Sequence, residues 1–575
     1  MAPRFCISLI PASHPLFQRM LRTLPRPVFG ALARHHVRIS KYHSVSNPDV
    51  LVVGAGVAGL SASIAAAEKG ASVILLDAHH GGGATALSGG FIYAGAGTPH
   101  QKAAGYDDDP ENMYRYLKEE TKDAVDDQTL KEFCEGSVAR QAWLERHGVQ
   151  FDASLCPYKT SYPTDLHYLC FSGNETAWPF RGVARPVPRG HRVFRAGGGF
   201  SGVTLAESLM GSARDLGIKF LSASKAERIL LRDDGSIDGM EVRSLDPSSR
   251  AFRRHKALTW VGMKLQLAFP GIAAKFFDRA HQIWEKNALV LEMKASAVIL
   301  AAGGFAFNEN MREQYVPEYS NVAPLGTRGD DGSGIRLGQS VGGSVDKMGN
   351  MSAWRFIYPP TAFLEGVVVS STGQRFIAED VYGALLSEKM IKEHNGKAFL
   401  ILDSDQWTKA NEHAFKQLRP ELLILALHWL KWDHIRSSSL HDLAAKTDIP
   451  GPSLEETVTS YNDSISQGKA DPMSKHPEYC TPILKPPFYA VDVSPRRTGL
   501  QIVTGLTLGG LRVDGRSGVV LKNDGTVIRG LYAAGRNAVG ICSNGYVSGL
   551  SIADGIFSGI RAGEHAAGSV SKELI

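Results

Sequence analysis

Three glycines hold the first readable chemistry in this chain. Gly54, Gly56 and Gly59 form a G-x-G-x-x-G turn directly after the apolar residues Leu51, Val52 and Val53. This spacing suits the pyrophosphate of a dinucleotide. The first glycine makes a tight turn, and the second lets the backbone approach the phosphates. The third, after Ala58, lets the following helix lie close to the strand. Residues 61–69 are Ala-rich, so the helix they form would aim free amides and a positive dipole end at the same anion. A second aliphatic run over 73–76 ends in Asp77, 18 residues past Gly59 (77 − 59), where a ribose-binding carboxylate belongs. A second loop of small and hydroxyl residues follows over 81–90. Its Gly83, Ala84, Thr85, Ser88, Gly89 and Gly90 suit a flat ring or further phosphate contacts. An NAD-binding unit would normally continue into another helix here, so the loop favours a flavin dinucleotide.

The elements that must hold such a site are spread along the chain. Residues 298–302 read as another buried strand ending at Gly303 and Gly304, and residues 530–535 as a strand closing on Gly535. A helix begins near Ser551, with N-terminal amides placed to face a flavin ring and stabilise the negative charge of its reduced form. Strands are expected over 218–221, 226–231 and 237–242, and a helix start at Asp109-Pro110. Residues 156–205 lack periodicity; their Tyr158, Tyr162 and Tyr168 could reach a substrate or simply pack a surface loop. His191 reads as a hydrogen-bonded surface residue. Residues 250–290 interleave Arg253, Arg254, Lys256, Lys264, Lys275 and Arg279 with Trp260, Phe269, Phe276 and Phe277. Such a basic amphipathic helix either covers the sheet with a solvated face or makes a peripheral membrane contact.

Bulk properties narrow the class. A chain of 575 residues has room for two or three domains. Its 43% hydrophobic and 21% charged content are those of a globular protein. A net charge of +5, with no basic stripe interleaved with stacking aromatics, implies no nucleic-acid partner. No window reaches the roughly 18 uninterrupted apolar residues of a spanning helix. Arg4, Arg19, Arg22, Arg26, Arg34, Arg38 and Lys41 precede the first acid, Asp49. That acid-free leader resembles a mitochondrial transit peptide, the alternative location being cytoplasmic. The six cysteines form no C-x-x-C pair and no metal-ligand spacing, so no metal and reduced thiols are expected.

The glycine turn, the 81–90 loop, the 298–305 strand, the Gly-Asp-Asp-Gly-Ser-Gly block at 329–334 and the blocks at 530–535 and 543–555 together resemble the fumarate reductase and 3-ketosteroid dehydrogenase superfamily of FAD flavoproteins. The resemblance covers nearly all of 48–570. It implies an α/β fold, with a two-part, Rossmann-like FAD-binding domain of the glutathione-reductase kind at 48–315 and 490–575. An α+β capping and catalytic domain is inserted at 316–489, and a leader occupies 1–47. FAD would be held non-covalently, because the 81–90 loop has no histidine of the kind that bonds flavin in succinate dehydrogenases. The resemblance places the Ala226 backbone at the adenine, and Ala302, Gly303, Gly535 and Asn537 along the cofactor. Leu550 and Ser551 fall at the ring. Asn537 would replace a glutamate that relatives carry after Ala-Ala-Gly, where this chain has Arg536.

Two tyrosines match catalytic positions of the 3-ketosteroid dehydrogenases. Tyr382, after Arg375-Phe376-x-x-Glu379, resembles the base, and Tyr546, 11 residues past Gly535, resembles the tyrosine that hydrogen-bonds the 3-oxo group. Tyr546-Val547-Ser548-Gly549 is closer to the Δ4(5α) enzymes than to the Pro-Gly-Pro-Gly of the Δ1 enzymes. Ser548 thereby joins the catalytic candidates, and Δ1 or Δ4 regiochemistry stays open. The implied reaction removes two hydrogens beside the ring ketone of a steroid or steroid-like triterpenoid and passes the electrons to an external acceptor. A reductase of fumarate or urocanate type is the alternative, using Arg355, Arg375 or Arg512, although Leu506 stands where fumarate reductases have histidine. A flavin-binding protein without turnover is the third reading.

Overall fold

The computed structural model describes residues 47–266 and 269–573, with side chains to residue 569. The expected leader lies outside these residues apart from position 47. Strand β1 (Val50–Val53) is wholly apolar and wholly buried, as a central parallel strand must be. Helix α1 (Val57–Glu68) follows, then β2 (Val73–Asp77), a short helix α2 (Gly83–Leu87) and β3 (Lys219–Ser222). An antiparallel layer is built from β4 (Ser224–Leu231), β5 (Ile237–Ser244) and β6 (Leu289–Lys294). Helices α3 (Arg250–Leu265) and α4 (Pro270–Asn287) intervene between β5 and β6. Strand β7 (Ala297–Leu300) completes the first half.

The middle of the chain gives β8 (Met351–Trp354), β9 (Val367–Ser370), α5 (Gly383–Glu393), β10 (Ala398–Leu402), β11 (Ile435–Ser437) and β12 (Phe488–Asp492). The return gives β13 (Thr504–Thr507), β14 (Val519–Leu521), β15 (Val527–Ala533) and α6 (Leu550–Glu573). The main sheet has the order β14-β15-β7-β1-β2-β3. All its pairs are parallel except the β14 edge. Strands from residues 50–77, 219–222 and 297–300 therefore share one sheet with those from 519–533, and the ligand crevice of such a sheet lies at the carboxyl ends of β1, β2 and β7. Helices α1 and α6 press together because Gly559 and Gly563 leave room. A Cβ there would stand 2.4 Å from the Ala58 carbonyl and 2.2 Å from that of Ala62.

A second sheet, β9-β10-β12-β11, forms the antiparallel core of the cap. Its last long strand, β12, straddles the boundary expected at 489. A buried ion cluster braces the cap. Arg375 meets Glu379 at 2.8 Å and Asp471 at 2.6 Å, and Lys475 meets Glu379 at 3.0 Å. Removing one partner of such a cluster costs about 3–5 kcal/mol. The cluster sits just before Tyr382, the residue that caps α5. Strand β8 pairs antiparallel with β13, tying the start of the cap segment to the returning chain.

Two expectations change. The 250–290 insert is two helices rather than one, because Phe269-Pro270 restarts the chain with proline in the first turn of α4. His191 is 1% exposed rather than superficial. It lies on a short strand between two others and hydrogen-bonds Thr98 Oγ1 at 3.0 Å. None of the described helices is long and apolar enough to cross a membrane.

Candidate active site

Backbone geometry explains the glycine turn. Gly54 has φ of +106°, and a Cβ on it would lie 2.4 Å from the Ala301 carbonyl at the end of β7. A Cβ on Gly59 would lie 1.8 Å from the Gly54 carbonyl. The turn is held from its own neighbourhood: Ala55 N–H donates to Asp77 Oδ2 at 2.9 Å, and Val57 N–H to Thr85 Oγ1 at 3.0 Å. Asp77 Oδ1 accepts from the amides of His79 and Gly81 at 2.8 and 3.2 Å. Asp77 thus shapes both loops, with lone-pair capacity left for a ribose hydroxyl.

A cavity of about 540 Å³ opens at these strand ends. Gly54, Gly56, Ala58 and Asp77 line it from the first βαβ unit, and Gly83, Ala84 and Thr85 from the second loop. Ala226 on β4, Ala302 and Gly303 after β7, and Ser551 on α6 complete the set of expected residues found there. The cavity suits a dinucleotide. Helix α1 enters it without an N-cap side-chain hydrogen bond and without an acid in its first turn, which leaves the first-turn amides after Val57 for an anion. Buried polar atoms without a protein partner remain beside it, Arg536 Nη1 and Asn537 Nδ2 among them.

The other expected cofactor residues serve from behind the wall. Gly59 packs α1 on the turn. Ser88 folds its loop, accepting from Gly90 N at 3.2 Å and donating to Thr85 O at 2.8 Å. Gly89 lies against Tyr162, Gly90 against Ser201 and Gly535 against Ala58. Leu550 is fully buried at the start of α6. Asn537, expected along the cofactor, is fully buried and accepts from Ala302 N at 2.9 Å. Arg536, the preceding residue, lines the cavity, held by Asp330 at 2.6 Å. The signal for this was the arginine directly after Ala-Ala-Gly, with an acid waiting in the 329–334 block.

The three catalytic candidates come together. The Tyr382 phenol faces the Ser548 hydroxyl, and the neighbouring phenols of Tyr546, Tyr162 and Tyr358 all act on it electrostatically. Burial, then those phenols, push Tyr382 well above the ordinary 10, while the Ser548 hydroxyl pulls the other way. Burial also raises Tyr546, against the opposing pull of the nearby Gly549 amide. Aromatic rings wall the group: Trp354 lies 5.1 Å from Tyr546, and Phe356 lies 5.5 Å from Tyr382 and 5.8 Å from Tyr162. Of the three loop tyrosines, Tyr162 joins the site. Tyr158 instead meets the Gln417 carbonyl and Tyr168 the Arg195 carbonyl. Gly89 ties the two regions together, since a Cβ there would stand 3.0 Å from the Tyr162 ring.

The arginines weighed for a carboxylate clamp are engaged elsewhere. Arg375 belongs to the buried ion cluster. Arg355 donates to the carbonyls of Ser494 and Gln501 at 2.8 and 2.9 Å. Arg512 lines a separate cavity with Lys118 and Asp126.

Comparison with known proteins agrees with this geometry. The family model described as FAD binding domain matches residues 49–550. A 3-oxo-5-alpha-steroid 4-dehydrogenase of Comamonas testosteroni is 35% identical over 497 residues, 85% of this chain and 92% of that protein. A probable fumarate reductase, Ifc3, of Shewanella frigidimarina is 26% identical over 531 residues, 90% of this chain and 74% of its own length. Among solved structures, the 3-ketosteroid-Δ4-(5α)-dehydrogenase of Rhodococcus jostii RHA1, in complex with 4-androstene-3,17-dione, superposes with a TM-score of 0.75. It is 30% identical, covering 92% of this chain and 98% of that one.

Proposed function

Because the chain belongs to the FAD binding domain family and is an FAD-dependent oxidoreductase acting on CH–CH groups, we propose that it desaturates the ring beside the ketone of a 3-oxosteroid or steroid-like triterpenoid, at the Δ4(5α) position. The observation that supports this most directly is the convergence of Tyr382, Ser548 and Tyr546 within one buried, aromatic-walled group. Bound FAD supplies the hydride acceptor. Tyr546 remains protonated at neutral pH, since its phenol is raised above an already high value, and it donates a hydrogen bond to the substrate ketone. That polarisation makes the adjacent C–H acidic. Tyr382 takes the proton as the phenolate, having first given up its own to solvent, and the Ser548 hydroxyl that faces it offsets the cost of that buried charge. The aromatic walls, Trp354 and Phe356, exclude water and offer a flat apolar surface to a fused-ring substrate. The motif around Ser548 and the two steroid 4-dehydrogenase relatives favour Δ4 over Δ1.

The test is anaerobic mixing of holoenzyme with a 5α-saturated 3-ketosteroid while the oxidised flavin band is followed. Bleaching that disappears in Tyr546→Phe, with a 4-ene product, is the expected result. A 1-ene product would overturn the regiochemistry. No bleaching, with reoxidation of chemically reduced enzyme by an unsaturated acid, would overturn the reaction.

A further inference from the structure

Residues 172–175 belong to the aperiodic stretch of the sequence, and the chemistry proposed above uses none of them. They nevertheless touch both of the segments that carry its working side chains. On one side is the returning chain. The Ser548 amide donates to the Ser172 carbonyl at 3.2 Å, and the Ser172 hydroxyl donates to the Ser548 carbonyl at 3.1 Å. A Cβ on Gly173 would stand 2.6 Å from Val547 Cγ1, so a larger residue there would push the Tyr546–Ser548 segment away. On the other side is the cap. The Tyr382 amide donates to Asn174 Oδ1 at 2.6 Å, across 208 residues of sequence.

Asn174 is fully buried, and its polar groups are all engaged. Its Nδ2 donates to Glu120 Oε2 at 2.9 Å and Oε1 at 3.3 Å. Its amide donates to the Tyr116 hydroxyl at 2.9 Å, which itself donates to Glu120 Oε2 at 3.1 Å. Its carbonyl accepts from the Ala177 amide at 2.8 Å. Glu120 and Tyr116 lie on the helix Pro110–Thr121, which also backs the returning chain: a Cβ on Gly545 would stand 2.0 Å from the Glu120 carbonyl. These partners fix which way the Asn174 side chain faces. A main-chain N–H only donates, so the atom at Tyr382 is the oxygen, and the nitrogen faces the acid. Tyr382 stands just before α5 with extended backbone, and its carbonyl accepts from the Leu385 amide at 3.0 Å. Helix α5 thus holds the carbonyl side of Tyr382 and Asn174 the amide side, with the phenol carried between them.

We propose that Asn174, oriented by Glu120, is a positioning residue that holds Tyr382 against the Tyr546–Ser548 segment, so that residues 172–175 set the spacing of the catalytic group across the joint between the cap and the returning chain. This rests on the role given to Tyr382 above. Asn174 acts on the Tyr382 main chain and not on the substrate, so its loss slows the reaction without weakening binding.

Holoenzyme of the parent, Asn174→Leu and the double variant Asn174→Asp/Glu120→Gln is reduced anaerobically by a 5α-saturated 3-ketosteroid in single turnovers. Leucine keeps the volume of the side chain and removes both of its hydrogen bonds. Flavin reduction slows by about 10²-fold, the order for misplacing a reacting group by an ångström. Flavin content and the steroid dissociation constant, read from the concentration dependence, stay at the parent's values. The double variant exchanges donor and acceptor and keeps one acid in the pair. The introduced carboxylate accepts from the Tyr382 amide and from the introduced side-chain amide at position 120, whose oxygen still accepts from Tyr116. Most of the rate returns, which damaged packing alone would not allow. The proposal is overturned if the leucine variant is reduced as fast as the parent, if the double variant is as slow as the leucine variant, or if steroid affinity falls in step with the rate. A parent that the steroid does not reduce overturns the reaction instead. Crystal structures then read the positioning without turnover: the Tyr382 main chain is displaced in Asn174→Leu and restored in the double variant, and a Tyr382 that stays in place in the leucine variant overturns the proposal.

Discussion

At the mouth of β1 the working groups are main-chain atoms and their supports are close in sequence: Asp77 and Thr85 hold amides only 22 and 28 residues away. At the cap the working groups are side chains, and Tyr162, Tyr382 and Tyr546 arrive from three distant stretches. The first region binds because its backbone can approach closely. The second, under the proposed function, works through a few phenols whose state is set by burial and neighbouring hydroxyls. Damage to the first should remove the cofactor and everything downstream of it, whereas damage to the second should stop turnover in a protein that still carries its flavin.

Gly59→Ala makes the strongest test of that division. Its Cβ would fall 1.8 Å from the Gly54 carbonyl, a backbone atom that cannot yield without opening the turn. Purified protein should carry almost no FAD by its flavin-to-protein absorbance ratio, and activity should vanish with it. Normal flavin content would break the comparison. Tyr546→Phe comes next: full flavin content, but kcat/KM lower by about 10²–10³-fold, the range for removing one donor to a developing oxyanion. Loss of flavin in that variant would show that the two regions are not separable.

The difference also decides how much could be read beforehand. The βαβ unit was legible because strand, turn, helix and acid follow one another in fixed spacing. The runs at 298–302 and 530–535 supplied two more parallel strands of the main sheet, whereas its antiparallel edge β14 has no counterpart in those readings. Tyr382, Tyr546 and Ser548 were legible only by resemblance, since nothing local says that residues 382 and 546 meet. Tyr162 was one of three equivalent tyrosines in an aperiodic loop, and only the packing of Phe356 against both Tyr162 and Tyr382 singles it out. Helices α3 and α4 were misread as one because their apolar residues keep helical period through the break. Their place over the cavity depends on contacts with residues 80, 223, 326 and 328, which no pattern within 250–290 reveals.

Ser548→Ala tests the second region more finely. Removing the hydroxyl should lower kcat by about 10²-fold at neutral pH. Activity should rise with pH in the parent, because Tyr382 acts deprotonated and its phenol lies well above 10. In the alanine variant that rise should begin at still higher pH, since the group that stabilised the phenolate is gone. An unchanged pH profile would mean that Ser548 only fills space.

The smallest effect belongs to the first region and concerns the α3–α4 hairpin, whose His255, Phe277 and Trp284 line the cavity and whose His255 Nδ1 stands 3.1 Å from His80 Nε2. Burial, then the charges of His255, Lys256 and His79, hold His80 down to about 3. Burial, then His79 and His281, hold His255 down to about 4. Both imidazoles are therefore neutral in the closed hairpin, where they share a hydrogen bond. In an opened hairpin they would return toward the ordinary 6.5. Above that value neither form binds extra protons and closure is independent of pH. As pH falls from about 6.5 toward 4, only the open form gains protons, so closure weakens progressively. Flavin release on dilution of the holoenzyme should accordingly quicken severalfold between pH 7 and pH 5, and the dependence should flatten in His255→Asn, which keeps a polar side chain without a titrating ring. Release that is flat in the parent would place the pH-sensitive contacts outside the hairpin and leave the His80–His255 contact as packing alone.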